Sequence, residues 1–553
     1  PMADSQEPGE KTAAEASNPD QASEQERSRV QDRTRVMRAA GLVGAAILLS
    51  RLVGLVREIV TRSLLGVTTV EATAYDIAKV LPESIFLIIA GGAIGSAFIP
   101  TFTAYLTRDD ESGAWRLFSA VINLTTVVIT IVAVLAMIFA EQFVSFFYAP
   151  TIAEHPELLG MTVDLMRIML LSPIIFGASG VIMGALNARQ HFLTPALAPT
   201  VYNLGIIAGG LLLGQTMTGA AMGLAIGTVI GALGHLLIQL PALRRQGVQY
   251  DAILTVRDPG VIQVIKLMIP RVLGLSFSEI NKFIMLFMTG SMPLGSLPAL
   301  NAAFRLIILP QGIIGQALGI AAFPTLSTLA ARRKFDEMRE IISDSLRMLL
   351  FLGLPVTVWL ILLAEPIITI LFERGLFDAR STQLVAGATQ LMALGLLALL
   401  FLEVIARSFY ALSDTLTPVL AGGIQVLMMA VLSIWMRDVL FAVRGWPPLG
   451  ALALGFTISN YIEVGLLLWL LRRKLGHLSG ALFFSGAWRM LIAAVLMAGV
   501  TWFLLSWIDD DADWLKLIAG GLAGAVVYFL ACLFLRVSEL QQILAAARSR
   551  LAR

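Results

Sequence analysis

About fourteen stretches of some 20 or more apolar residues recur along this chain, and they constrain the fold more than any other feature. Such a stretch is long enough to cross a bilayer, and a backbone in lipid must pair its own N–H and C=O groups, as a helix does. The stretches begin near 39–65 and end near 515–536. The second (near 73–105) and the eighth (near 295–328) are the longest broken by Pro and Gly. Composition agrees: 57% of the 553 residues are hydrophobic and 14% charged, against about 45–50% and 25% in soluble domains. The expectation is an all-α polytopic membrane protein with about 14 transmembrane helices. Its one cysteine, Cys532, lies in an apolar run, which excludes a disulfide framework.

The chain also repeats itself. Leu81-Pro82-Glu-Ser-Ile-Phe and Gly91-Gly-Ala-Ile-Gly-Ser-Ala-Phe-Ile-Pro100 return as Leu309-Pro310-Gln-Gly-Ile-Ile and Gly315-Gln-Ala-Leu-Gly-Ile-Ala-Ala-Phe-Pro324. Phe192-Leu-Thr-Pro195 returns as Thr415-Leu-Thr-Pro418. Apolar helices align easily by chance, but the aligned prolines argue for a true repeat. Each copy holds an even number of spans, so two six-helix lobes are expected in parallel, related by an axis along the membrane normal, with two helices added at the C-terminus. The expected divisions are a disordered tail over 1–38, an N-lobe over 39–245, a C-lobe over 246–475, and residues 476–553 as the last two spans and C-terminus. The tail is rich in Glu, Ala, Ser, Gln and Pro with no apolar period. Pro1 in place of Met reads as an expression remnant, and the first apolar run is too long for a cleavable signal peptide.

Loop charges predict the topology. On the N-terminal side fall Arg27, Arg29, Arg33, Arg35 and Arg38, then Arg108, Arg116, Arg189, Arg244, Arg245, Arg257, Arg332-Arg333-Lys334, Arg472-Arg473-Lys474, Arg548, Arg550 and Arg553. The opposite loops are mostly neutral or acidic, as at Glu154 with Glu157 and Asp509-Asp-Asp with Asp513. Arg374, Arg380, Arg437 and Arg444 are exceptions. The bias places both termini in the cytoplasm.

Charge inside the spans points to function. Arg51 and Arg57 stand six residues apart in Leu48-Leu-Ser-Arg-Leu-Val-Gly-Leu-Val-Arg-Glu58, about 9 Å along a helix axis and within roughly a third of a turn. A charge at membrane depth costs at least about 2.5–3.5 kcal/mol and normally faces a cavity or a partner. Either arginine alone could snorkel to a helix end; with Arg305 as a third candidate, the set reads as an anion site in a membrane cavity. Glu279, Asn281 and Lys282 offer two readings: a self-neutralising i,i+3 pair, or, through Glu279 and Asn281, a site coupling transport to a cation or proton. Asp164 with Arg167 and Glu403 with Arg407 read as structural pairs. Glu463 lacks an obvious partner, and His191 reads as structural.

Four motifs carry a resemblance to a known family. Ser50-Arg51-Leu-Val-Gly-Leu-Val-Arg57-Glu58 resembles the first-helix signature of the MurJ/MviN lipid II flippases, within the multidrug/oligosaccharidyl-lipid/polysaccharide exporter superfamily. The others are Gly184-Ala-Leu-Asn187 through Phe192-Leu-Thr-Pro195 to Asn203, Arg305-Leu-Ile-Ile-Leu-Pro310-Gln-Gly-Ile-Ile-Gly, and Leu371-Phe-Glu-Arg-Gly375-Leu-Phe377. The resemblance runs from about residue 38 to the end. It implies export of undecaprenyl-pyrophosphate-linked peptidoglycan precursor (lipid II), with Arg51, Arg57 and Arg305 on the pyrophosphate and head group and the last two spans forming a groove for the lipid tail. Arginine suits that role because it stays charged and presents a planar fork of donors. The alternative is export of another polyprenyl-linked oligosaccharide or an amphiphilic drug. Two departures stand out: Thr73 occupies the usual acidic place, with Glu71 and Asp76 nearby, and Phe86 a usual basic one. Asp76 and Lys79 therefore join the candidates for the substrate pathway.

An enzyme is not expected, since the sequence has no metal-ligand cluster, no phosphate-cradling Gly-Lys loop and no long loops for an active site. No cofactor is expected; coupling to membrane potential, Na+ or H+ is. The expected partners are lipid II or a related polyprenyl-pyrophosphate lipid and the membrane, with no nucleic acid, for a monomer in the bacterial cytoplasmic membrane.

Overall fold

The computed structural model describes residues 19–88, 94–215, 219–476, 480–508 and 512–551, with side chains from Gly41 onward except at 94, 96, 277, 278, 480–485, 546, 547 and 549–551. The tail through residue 18, the start of the first glycine motif at Gly91 and the acidic run Asp509-Asp-Asp lie outside the described residues, as do the side chains of the five tail arginines and of Arg550 and Arg553.

Among the described residues every regular element is helical. The first part of the chain holds α1 (Pro19–Leu65), α2 (Val70–Ile85), α3 (Ile94–Leu106), α4 (Glu111–Ile138), α5 (Ala140–Glu154), α6 (Glu157–Met169), α7 (Leu171–Ala188), α8 (Leu193–Ala208), α9 (Ala220–Leu237) and α10 (Leu240–Arg245). The second holds α11 (Pro259–Thr289), α12 (Ser296–Pro310), α13 (Gln316–Ala331), α14 (Phe335–Leu362), α15 (Ala364–Phe372), α16 (Ala379–Ala393), α17 (Leu396–Ala411), α18 (Leu416–Trp435), α19 (Ala442–Arg444) and α20 (Pro448–Leu475). Then come α21 (Gly480–Leu505), α22 (Asp513–Phe534) and α23 (Ser538–Leu551).

The expected count of about fourteen spans is not reproduced by length and composition alone. Eleven helices among the described residues are long and apolar enough to cross a membrane, or up to 12 with the pair α16–α17, bent by 46°. The first two expected spans are absent from that count because it covers described residues only: α1 has described side chains only from Gly41, and residues 89–93, between α2 and α3, lie outside the described residues. The tail also differs from expectation, since α1 begins at Pro19 and residues 19–38 continue it as helical backbone. Gln, Glu, Arg and Ala, which dominate there, are good helix formers.

The repeat is visible in the backbone. Asp109 and Arg333, after the paired Pro100 and Pro324, turn in the left-handed region (φ 58° and 55°). So do Gln190 and Ser413 (both φ 59°), before Pro195 and Pro418. Those two prolines each stand third in their helix, α8 and α18, where a missing N–H costs no intrahelical bond. The Leu-Pro pairs likewise precede wide π turns, at Phe86–Ile88 and Gln311–Gly315.

The largest apolar core is built from the second half, with Phe372, Phe377, Met392, Phe409, Phe456 and Leu467 fully or almost fully buried. The first half packs two cores of its own, around Tyr75, Tyr148 and Met166 and around Phe98, Trp115 and Phe118. α21, α22 and α23 attach to α14 through Phe351, Met490, Met497, Tyr528 and Cys532. Elsewhere α1, α21 and α22 leave large apolar side chains exposed, Leu48, Leu52, Leu522 and Phe534 among them, as a lipid-facing helix should.

Several bonds join the halves near the C-terminal end of α1. Leu376 N–H donates to Ser63 O (2.9 Å), Gly295 N–H to the Thr73 hydroxyl (3.2 Å), and the Thr151 hydroxyl to Gly290 O (2.8 Å). Glycine is required here. Gly66 has φ +68°, and a Cβ on it would stand 2.6 Å from Leu376 O.

Candidate functional site

The chemistry gathers where α1, α2 and α12 meet. One helical turn separates Glu58 from Arg62, so both side chains project from the same face of α1. Arg62 is fully buried, and its guanidinium donates to Glu58 (2.9 Å) and to Asp76 of α2 (2.9 Å). Asp76, also fully buried, accepts in addition from Lys79 (2.6 Å) and from the Asn301 amide of α12 (3.0 Å). Removing two carboxylates and an arginine from water is tolerable only because each is paired and hydrogen-bonded.

Two partly exposed cations flank this buried ladder. Arg57 and Arg305 each stand 3.9 Å from the same Glu58 oxygen, with side-chain exposures of 16% and 45%. Four cations (Arg57, Arg62, Lys79, Arg305) thus surround two carboxylates (Glu58, Asp76), an excess of positive charge available to an anion. Arg57 and Arg305, 248 residues apart by their numbers, are brought together. Arg51 is not part of this group: it is exposed and reaches Gln316 at the start of α13 (3.3 Å). Its guanidinium also lies over Gly312, where a Cβ would stand 2.8 Å from Nη1.

The remaining candidates have defined partners. Lys79 is committed to Asp76, and Asp76 sits inside the ladder rather than on an open surface. Thr73, in the usual acidic place, caps a turn with its hydroxyl on Thr69 O (3.1 Å). Phe86, in the usual basic place, packs on Phe176 with ring centroids 4.4 Å apart. Glu279 is buried, accepting from Ser84 (2.6 Å) and from Lys282 (3.0 Å), the i,i+3 partner. The Asn281 amide oxygen is buried without a hydrogen-bond partner.

Asp164 and Arg167 do not form the expected pair: Asp164 is exposed, and Arg167 donates to Met137 O (3.2 Å). Glu403 and Arg407 do pair. Glu463 is buried on α20. His191 bonds the Thr194 hydroxyl (2.6 Å) in the turn before α8. Among the described residues no group of three or more His, Cys, Asp or Glu could hold a metal ion.

Sequence reasoning missed Arg62, Asn301 and Gln316. Arg62 left a signal, being four residues after Glu58; Asn301 and Gln316 left none, since their partners are distant in the chain.

Comparison with known proteins shows the family of the chain. The family model described as lipid II flippase MurJ matches residues 62–518. The probable lipid II flippase MurJ of Vibrio cholerae is 29% identical over 525 residues, covering 91% of this chain and 97% of that protein. The lipid II flippase MurJ of Burkholderia cenocepacia is 27% identical over 509 residues, covering 90% and 95%. A solved structure of lipid II flippase MurJ in an inward closed conformation superposes with a TM-score of 0.73 at 25% identity, covering 90% of this chain and 99% of that one. An inward-facing multidrug resistance MATE transporter of the MOP superfamily shares the fold, with a TM-score of 0.65 at 13% identity over 80% of this chain. With a membrane-helix architecture, a cationic centre between its halves and a family match across most of its length, the chain belongs to the MurJ lipid II flippase family, multi-pass proteins of the bacterial inner membrane.

Proposed function

We propose that this protein moves lipid II from the inner to the outer leaflet by alternating access, as a transporter and not an enzyme. The carrying observation is that Arg57 of α1 and Arg305 of α12 converge on one buried carboxylate, Glu58. The lipid's pyrophosphate is the main barrier to crossing, because an unpaired charge in hydrocarbon is prohibitive. Arg57 and Arg305 replace its hydration while the polyprenyl tail stays in lipid, and Arg51, one helix segment away beside Gln316, meets the head group on entry. Glu58 holds both arginines beside one another until an anion competes with it for them.

The two halves act as the lobes, divided near residue 245, with residues after 475 as an appended pair of spans for the tail. Loop charges support cytoplasmic termini. In that orientation the bonded end at Ser63, Thr73 and Gly295 faces outward. Moving one charge through 100 mV supplies about 2.3 kcal/mol, so the membrane potential can bias the cycle. Glu279 is already neutralised by Lys282, so it serves H+ or Na+ coupling only in a state where that pair opens. The protein works as a monomer, without nucleic acid.

The test is binding of lipid II to purified protein by native mass spectrometry, beside Arg57→Ala/Arg305→Ala. Selective binding that disappears in the double variant supports the reading. Equal binding of lipid II and unrelated polyprenyl-pyrophosphate sugars, unchanged by the substitutions, refutes it.

A further inference from the structure

A second ionic group stands on the other side of the α12–α13 junction and is not part of the ladder. Glu403 and Arg407 of α17 pair at i,i+4 within the bent span. They line a cavity of about 410 Å³ with Phe323 and Tyr410, a volume in the range of small-molecule pockets. Their side chains are 16% and 22% exposed, buried enough to be costly and open enough to be reached. The π turn and α13 make room for them with glycine. A Cβ at Gly319 would stand 2.7 Å from Arg407 Nη1, and one at Gly315 would stand 3.2 Å from Glu403 Cγ.

The pair also stands one π turn from Arg51. Gln311 donates to Glu403 (3.3 Å), while Gln316, just after the π turn that Gln311 opens, accepts from Arg51 (3.3 Å). A π turn is a common mark of a functional position in a helix. An ion pair kept in a membrane span at a cost of a few kcal/mol calls for a use. This one has spare capacity: guanidinium has five N–H donors, and the Arg407 bonds found among the described residues, to the Glu403 carbonyl and carboxylate, use only Nη1.

We infer that the Glu403–Arg407 pocket is a subsite for the zwitterionic part of the substrate head group, the peptide of the precursor, with Arg407 taking a carboxylate and Glu403 an ammonium or amide N–H. The inference rests on the lipid II reading above. Pyrophosphate at the arginines and peptide one π turn away then divide recognition between charge and head-group identity. Phe323 and Tyr410 supply the apolar lining beside the pair.

The test compares binding of lipid II and of the same undecaprenyl-pyrophosphoryl disaccharide without its peptide, by native mass spectrometry on the full chain. The variants are Glu403→Gln/Arg407→Gln and the charge-reversed Glu403→Arg/Arg407→Glu, which keeps an ion pair for folding; thermal midpoints check that both fold. The expected result is that wild type prefers the peptide-bearing lipid and that both variants lose about tenfold or more for it, with binding of the peptide-free lipid unchanged. Equal loss for both lipids, or loss for neither, overturns the subsite. If wild type binds neither lipid, the lipid II reading fails first, a distinct outcome that takes this inference with it.

Discussion

Replacing Arg62 with Met tests the ladder at its most buried point. Arg62 is fully enclosed and makes bonds of 2.9 Å to Glu58 and to Asp76. Hydrogen bonds involving charged groups are worth roughly 1.5–3 kcal/mol each, so two bonds give about 3–6 kcal/mol. Breaking a buried ion pair from one side costs about 3–5 kcal/mol by a separate route, because the partner charge is left uncompensated. The two figures agree, and we expect a loss of about 4 kcal/mol. Asp76 keeps Lys79 and Asn301, whereas the ion pairs left to Glu58 among the described residues, Arg57 and Arg305, stand at 3.9 Å. Glu58 should therefore draw those two arginines closer and compete with an anion, so lipid II binding falls as well as stability. The assay is thermal unfolding in detergent, read as a comparison since membrane proteins often unfold irreversibly, together with lipid II binding. Adding Glu58→Gln to the Arg62→Met background removes the carboxylate that lost its close partner and should restore part of the loss, with a coupling of about 0.5–3 kcal/mol. A midpoint unchanged from wild type with unchanged binding would refute the account of Arg62 as the keystone between α1 and α2.

Two further outcomes follow from the turns. Burial raises the Asp414 carboxyl, but bonds from Lys474 and from the Thr417 hydroxyl and N–H outweigh it and hold the group down at about 2. A carboxylate depressed on folding stabilises fully above its ordinary value near 3.8 and loses that contribution as pH falls toward about 2. Thermal midpoints measured between those limits should drop more steeply for wild type than for Asp414→Asn, and parallel curves would refute this. Gly66→Ala should cost more than about 1 kcal/mol, because φ is +68° and the added Cβ meets Leu376 O. Faster hydrogen exchange at Leu376 N–H, whose bond to Ser63 O holds this end together, is the readout, and unaltered protection there would count against a seam at this end.

Much of the molecule could be read from residue order. Apolar length dictates helices, and the paired prolines at 100 and 324 and at 195 and 418 reappear as paired backbone turns. The local pairs Glu403–Arg407 and Glu279–Lys282 form as their spacing suggests. Yet spacing alone misleads at Asp164 and Arg167, which share a helix face without touching, because the Met137 carbonyl offers Arg167 another acceptor. It also misjudged Arg51 and Arg57, which stand near one another on α1 but serve different surroundings.

What the sequence by itself determined is therefore what helical periodicity and lipid solvation control: all-helical spans, the repeat, the family, and the arginines that no lipid-facing helix would keep. Only the tertiary structure decided which charges are spent on each other and which remain for a ligand. Asn301 reaches Asp76 across 225 residues and Gln316 reaches Arg51 across 265. No local pattern encodes such partners, because they arise from the packing of one half of the chain against the other. Burial then makes each pairing obligatory, since a charge removed from water must find its counterpart wherever the fold has placed it.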